Sequence, residues 1–322
     1  MKVALRDGDT RVQAEFNPEE IRWKSRNFGW FTPDGVYFPE IDKTLFVKRL
    51  PGRPLSLQFL KSHMDRPCSE HLPAVYGVIE GDKTSYFFME RIKGIPLDAL
   101  RGKIEIAHCR EILSGIFKAV SGIADSGYWY TDLDFGNVFL GKGDSGELVR
   151  LIDIDSCVRS SIIFKSYMED PGRRLNVNER YWSYLVSSIK RMEKKGMNGE
   201  GLSRLRGRSI AQSAFMYFAV DLFFHVKYPK MSFSLKPADL IRLMRPGNRK
   251  YFTPRAKKLW RQIHRRLRNN PEKGVKWGAV DKFVTAAYRF PQGLERQKRT
   301  LAGESLVDGI VNVFERFFEI WE

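Results

Sequence analysis

Three side chains near the middle of the chain have the types and spacing for phosphoryl chemistry. Asp132 and Asn137 stand five residues apart in Tyr130-Thr131-Asp132-Leu133-Asp134-Phe135-Gly136-Asn137, and Asp153 follows in Leu151-Ile152-Asp153-Ile154-Asp155. A carboxylate beside an acceptor hydroxyl can take its proton during transfer. The charge of a triphosphate must be neutralised by Mg2+, which prefers hard oxygen ligands, and by a cationic side chain. One loop carrying an acid and an amide, with a second acid at a neighbouring strand end, supplies those oxygens.

Holding these three groups together takes a helix, a loop and two strands, and the sequence predicts them in that order. In residues 105–126, Ile106, Ile112, Leu113, Ile116, Val120 and Ile123 recur at helical spacing, and Gly127 follows as a stop. Strands are predicted at 137–140 and 148–153, with the glycine-rich 141–146 as a hairpin link. Upstream, 35–38 and 44–48 alternate with period two around an Asp42-Lys43 turn. A second pair is predicted at 74–79 and 84–90, and a helix at 55–64 lies between the pairs. Downstream the chain reads as helices: 211–226 is strongly apolar, 154–178 is the longest loop-like stretch, and 305–322 is an amphipathic segment expected to dock on the core. Strands first and helices after, with a hairpin at the junction, predict an α+β class in two lobes.

At this point the residues resemble a known family. Residues 130–138 look like the protein-kinase catalytic loop, His-Arg-Asp-Leu-x-x-x-x-Asn, with the Asp-to-Asn spacing kept, and 151–155 occupies the place of the Asp-Phe-Gly motif. The resemblance implies a divergent, bacterial-type member of the eukaryotic-like protein kinase superfamily: a small antiparallel-sheet N-lobe (1–92), a mainly helical C-lobe (93–303) and a C-terminal amphipathic helix (304–322). It implies ATP and Mg2+ as cofactors, Asp132 as the catalytic base, and Asn137 and Asp153 as metal ligands. Phe46-Val47-Lys48 is similar to the family's lysine strand, so Lys48 would contact the phosphates. Residues 86–97 resemble the strand and hinge, with Met89 behind the adenine and backbone groups of Glu90 to Ile92 bonded to it. Gly29 and Gly35 are the nearest match to a glycine-rich loop.

The chain also departs from the pattern. The 55–64 helix holds no Glu to pair with Lys48, leaving Gln58 or Asp65 as substitutes, or a site assembled differently. Tyr130 and Thr131 replace the His and Arg, so control by a phosphorylated activation loop is not expected. Asp155 replaces the Gly of the metal motif, as a turn residue or as an acid behind the metal site.

Hydrophobic residues make up 43% of the 322 and aromatics 13%, enough for a core and too much for a disordered chain. Three scattered cysteines give neither zinc-ligand spacing nor a disulfide framework, so a reducing cytoplasm is expected. The N-terminal Met-Lys-Val-Ala-Leu-Arg-Asp-Gly-Asp has no apolar run long enough for a signal peptide, and no stretch approaching the roughly 20 apolar residues of a membrane span is expected. The net charge is +17, and residues 241–300 hold 18 Lys and Arg against three Asp and Glu. Either a solvated basic face or an anionic partner (an acidic protein, a lipid headgroup or nucleic acid) accounts for that segment, and a lipid partner would place the protein peripherally at a membrane surface. Three functions follow from the resemblance: a Ser/Thr protein kinase of divergent type, a small-molecule or glycolipid kinase like those of the lipopolysaccharide core, and a pseudokinase scaffold. Joint retention of Lys48, Asp132, Asn137 and Asp153 favours the enzymes over the scaffold.

Overall fold

In a computed structural model the chain is described over residues 1–26, 29–100, 104, 106–143, 146–169, 179–193, 207–228, 236–246, 251–270 and 273–288. The segment 305–322, expected to be an amphipathic helix, lies outside these residues.

The chain is α+β. Strands β3 (Lys24–Arg26), β4 (Gly29–Phe31), β5 (Val36–Phe38), β6 (Lys43–Pro51), β7 (Val75–Ile79) and β8 (Thr84–Glu90) form one antiparallel sheet in the order β3-β4-β6-β8-β7, with β5 also on β6. Period-two alternation divides its residues between two cores. Leu45, Val47, Tyr86 and Phe88 face one side, where the hairpin of β1 (Lys2–Asp7) and β2 (Thr10–Glu15) covers them with Val3, Leu5 and Ala14. Phe87 and Met89 face the other side and join the large core, together with Leu57, Phe59 and Leu60 of helix α1 (Leu57–Asp65).

The chain then passes through β9 (Ile95–Pro96) into helix α2 (Ile106–Asp125), whose periodic apolar face is buried as its spacing predicts. Gly127, at φ +83°, ends it. Two short antiparallel pairs follow. β10 (Tyr128–Tyr130) pairs with β13 (Cys157–Arg159), and β11 (Val138–Gly143) pairs with β12 (Gly146–Leu151) and with β9. The predicted loop 154–178 is corrected over 154–169, which contains a 3-10 turn (Ile154–Ser156), β13 and helix α3 (Ser160–Glu169); 170–178 lies outside the described residues. Ile163, Phe164 and Tyr167 bury one side of α3, and the Ser160 hydroxyl donates to the Gly127 carbonyl at 3.2 Å.

Helices α4 (Glu179–Glu193), α5 (Arg208–Lys227), α6 (Pro237–Leu243), α7 (Pro254–Asn269) and α8 (Trp277–Tyr288) complete the described chain. Every residue from Ser209 to Val226 of α5 is buried, including the polar Gln212, Asp221 and His225, so this mainly apolar helix works as the axis of the helical layer. It is also the one described helix long and apolar enough to cross a membrane, which the sequence was not expected to contain; its apolar window is wholly covered by the protein. In contrast, α7 is strongly two-faced. Ala256, Trp260, Ile263 and Leu267 point inward, while Arg255, Lys258, Arg261 and Arg265 point out. Lys257 does not share that outer face: it is buried, with its ammonium donating to the Arg245 carbonyl at 3.0 Å.

Candidate active site

The residues singled out by spacing converge where the sheet meets the helical layer. The loop after β10 holds Asp132, a 3-10 turn (Phe135–Asn137) holds Asn137, and the chain after β12 holds Asp153. The turn is capped by Asp134, whose carboxylate accepts the Gly136 amide at 3.1 Å. The Asn137 carboxamide nitrogen donates both to the Asp132 carbonyl and to its carboxylate, each at 2.9 Å. That leaves the amide oxygen of Asn137 with no hydrogen bond among the described residues. The Asn137 carbonyl accepts the Ile152 amide at 2.9 Å, so the loop and the stretch leading to Asp153 are joined through the main chain.

Tyr130 and Thr131, which depart from the resembled motif, act as fasteners. The Tyr130 hydroxyl donates to the Ile152 carbonyl and the Thr131 hydroxyl to the Ser156 carbonyl, both at 2.6 Å. Burial, then the nearby Asp132 and Asp153 charges, hold the Tyr130 phenol well above its ordinary pKa, so it stays a neutral donor. Beneath the loop, Phe135 packs on α5, with its ring 4.3 Å from that of His225 and 5.1 Å from that of Phe218.

Asp153 sits at φ 54°, ψ 43°, a left-handed conformation that a non-glycine residue adopts at a cost of about 1 kcal/mol or more. Its carbonyl is held there by the Ser156 amide at 3.0 Å and the Ser156 hydroxyl at 2.8 Å. The twist brings two carboxylates to one lysine. Lys48 Nζ is 2.7 Å from Asp155 Oδ1 and 3.5 Å from Asp153 Oδ1, and all three side chains are largely withdrawn from solvent. Burial lowers the Lys48 pKa, but the Asp155 and Asp153 charges outweigh it and hold the ammonium above its usual value. Neither expected substitute partner reaches Lys48. Gln58 is exposed, and Asp65 pairs with Arg6 at 2.8 Å. Asp155 is therefore the residue that sequence reasoning undervalued, and only its two-residue offset from Asp153 could have flagged it.

Asp132 titrates at about 6, well above an ordinary carboxyl. Burial is the main cause, opposed by the Asn137 hydrogen bond and reinforced by the charges of Asp153, Asp134 and Asp155. A carboxylate poised near neutrality, with a fixed ammonium held by Asp153 and Asp155, can position a polyanion and accept a proton. Among the described residues no three His, Cys, Asp or Glu side chains converge on one metal position. The candidate donors for Mg2+ are Asp153 and the Asn137 amide oxygen, a sparse hard-oxygen set of the kind Mg2+ completes with water and phosphate oxygens.

The remaining sequence-predicted residues fall in two groups. Gly29 opens β4, and a Cβ there would meet Leu50 and lie 3.8 Å from the Lys48 side chain, so it stands beside the cluster. Gly35 serves the turn into β5: at φ +77°, it fits where a Cβ would strike the Thr44 side chain and the Leu45 carbonyl. Met89 is buried in the sheet, opposite Phe46. The Glu90 amide is committed to the Ala74 carbonyl at 2.8 Å, and its carboxylate takes the Ala74 amide at 3.1 Å and Arg150 at 3.3 Å. The Ile92 backbone, by contrast, makes no hydrogen bond among the described residues. No protein-family model matches the chain, and no curated protein matches it either.

Proposed function

We propose that this protein is a Mg·ATP-dependent phosphotransferase acting on an alcohol, with the two-lobed arrangement of a protein kinase. The observation that carries the proposal is the joint placement of Lys48, Asp153 and Asp155 on one side, and of Asp132 bonded to Asn137 on the other, along two segments stitched by the Ile152–Asn137 main-chain bond. In this reading Asp153 and Asn137 hold the metal, Lys48 neutralises phosphate charge, and Asp132 receives the acceptor's proton. Mg2+ would supply charge neutralisation at the transferring group. The base has the right poise, since a carboxyl titrating at about 6 is mostly ionised at neutral pH yet still basic enough to take a proton. The adenine would lie between Met89 and the backbone at Ile92, rather than on the Glu90 amide, which is already used.

A Ser or Thr of a protein is the first acceptor class to consider. A small-molecule or glycolipid hydroxyl is a second, favoured by α3: the ten residues Ser160–Glu169 that follow β13 form a packed helix, where a peptide-docking loop would be extended. Transfer from labelled ATP with Mg2+ tests both, comparing the wild type with Asp132→Ala and Asp153→Ala. The expected result is transfer by the wild type and a loss of about 100-fold or more in each variant. Absence of both nucleotide binding and transfer in the wild type would overturn the proposal. Labelled protein bands against labelled small products separate the two acceptor classes.

A further inference from the structure

Between α7 and α8 lies a cleft of about 600 Å³, within the span of roughly 300–1,000 Å³ typical of small-molecule sites. One wall is a stripe of α7 in which Leu259, Ile263, Arg266 and Asn270 recur at three- and four-residue steps. Residues 273–276 and the first turn of α8 make the other wall. Four cations line the cleft, Arg266, Lys273, Lys276 and Lys282, with no carboxylate among the described lining residues. None of the four forms an ion pair among the described residues. Among the described residues the one acid next to the lining in sequence, Asp281 beside Lys282, is committed to Arg110, whose second nitrogen contacts it at 2.8 Å, while Glu272, next to Lys273, lies outside the described residues.

The cleft is also rigid and open where an anion needs it to be. The Val275 amide donates to Gln212 Oε1 at 2.8 Å, and Gln212 Nε2 donates back to the Val275 carbonyl at 3.2 Å, clamping the 273–276 turn to the buried axis helix. The Gly274 amide adds a bond to the Asn270 carbonyl at 3.1 Å. A Cβ at Gly278 would meet nothing within 4 Å, so there is free space at the opening turn of α8, which carries no acid. Like charges gathered round a fixed concavity repel one another, and a bound polyanion removes that repulsion without having to order the walls. The apolar lining at Leu259, Ile263 and Val275 gives the uncharged part of such a ligand a surface to cover.

We propose that this cleft binds a phosphate-bearing small molecule carrying at least two anionic phosphate charges, with its less polar part against the α7 stripe. The proposal is independent of the phosphotransferase reading, because the cleft shares no residue with the Lys48–Asp153–Asp155 cluster.

The test uses the full chain in EDTA, so that no metal–nucleotide complex can form. Pyrophosphate is titrated calorimetrically, and flotation is measured with phosphatidylcholine vesicles with and without phosphatidic acid. Lys276→Gln/Lys282→Gln is compared with Arg255→Gln/Lys258→Gln, which removes the same charge from the exposed outer face of α7. Gly278→Leu fills the cleft without changing charge and keeps the test sound if the charge variant folds poorly. The expected result is a loss of about 10-fold or more in the cleft pair and in Gly278→Leu, against less than about 2-fold in the outer pair. If pyrophosphate shows this pattern, the ligand is a soluble phosphate ester; if only the phosphatidic acid vesicles show it, the ligand is a lipid headgroup. No binding to either probe, or equal losses in the outer and cleft pairs, overturns the proposal.

Discussion

The ammonium of Lys48 lies 2.7 Å from a carboxylate oxygen of Asp155, a residue 107 positions further along the chain. The pair is mostly buried and Asp153 shares it, so removing the cation strands two acids in a poorly solvated place. Lys48→Met is expected to cost about 3 kcal/mol of stability and to abolish nucleotide-dependent activity. Asp155→Asn keeps the shape and one hydrogen bond but releases the ammonium toward Asp153. It should weaken nucleotide binding by about 3- to 10-fold. Urea denaturation and nucleotide titration check both, and an Asp155→Asn protein matching the wild type in both would remove Asp155 from this role.

The raised pKa of Asp132 has a definite sign. With divalent cations removed, the folded state holds this proton more tightly than the unfolded chain, whose ordinary value is 3.8. Stability contributed by the neutral form is therefore fully present below pH 3.8 and is lost as pH rises toward about 6. Asp132→Asn keeps an acceptor for Asn137 and removes the charge. It is expected to stabilise the protein by about 1–3 kcal/mol at pH 7.5, and by nothing at pH 3.5. Denaturation at the two pH values checks this. Transfer should rise with pH through about 6 in the wild type, and no such rise should survive in the variant.

The loop that holds Asp132 and Asn137 packs on the axis helix through the Phe135 ring. Phe135→Ala removes the contact with Phe218 and His225, and is expected to cost about 3–4 kcal/mol, whereas Phe135→Leu should cost about 1 kcal/mol. If the alanine variant unfolds at the wild-type urea midpoint, the loop is held by something other than Phe135.

Gly207 precedes α5 at φ +70°, and a Cβ there would overlap the indole of Trp129. Gly207→Ala should destabilise by about 3 kcal/mol or more, combining strain with overlap. Trp129→Phe in the same chain should recover part of that loss. A double-mutant cycle reads the coupling directly, and additive effects would show that backbone strain alone is responsible.

Much of this was written in local sequence. The helix 106–125 and strand β6 follow from period, because each buries a regular face, whereas β8, buried on both faces, reads as a short apolar and aromatic run between turns. The hairpin β1–β2 did not show, since only Val3, Leu5 and Ala14 turn inward among charged neighbours such as Lys2, Arg6 and Arg11. Strands β3, β4, β10 and β13 are three residues long, too short for alternation to register. Asp132, Asn137 and Asp153 were legible because they lie close in sequence and their spacing is constrained by one loop and one hairpin. Asp155 as the Lys48 partner was not, because a contact across 107 residues leaves no local trace. Nor could net charge show that Lys257 is internal, or that Arg266 and Lys282 share a cleft.

The all-round burial of α5 has a consequence for how the protein is made. The loop holding Asp132 and the 3-10 turn holding Asn137 are synthesised before residues 208–227 exist, so Phe135, Phe117 and Tyr184 have no axis to pack on until then. At about 5–20 residues per second, α5 emerges several seconds after Asp153, and α7 and α8 come later still. Until α5 emerges, the inward faces of α2 and α4, which pack on it in the finished fold, lie uncovered, a stage at which a chaperone has the most to hold and premature termination the most to expose. The core around α5 closes only when α7 and α8, which also pack on it, have been added, well after residues 130–153 are made.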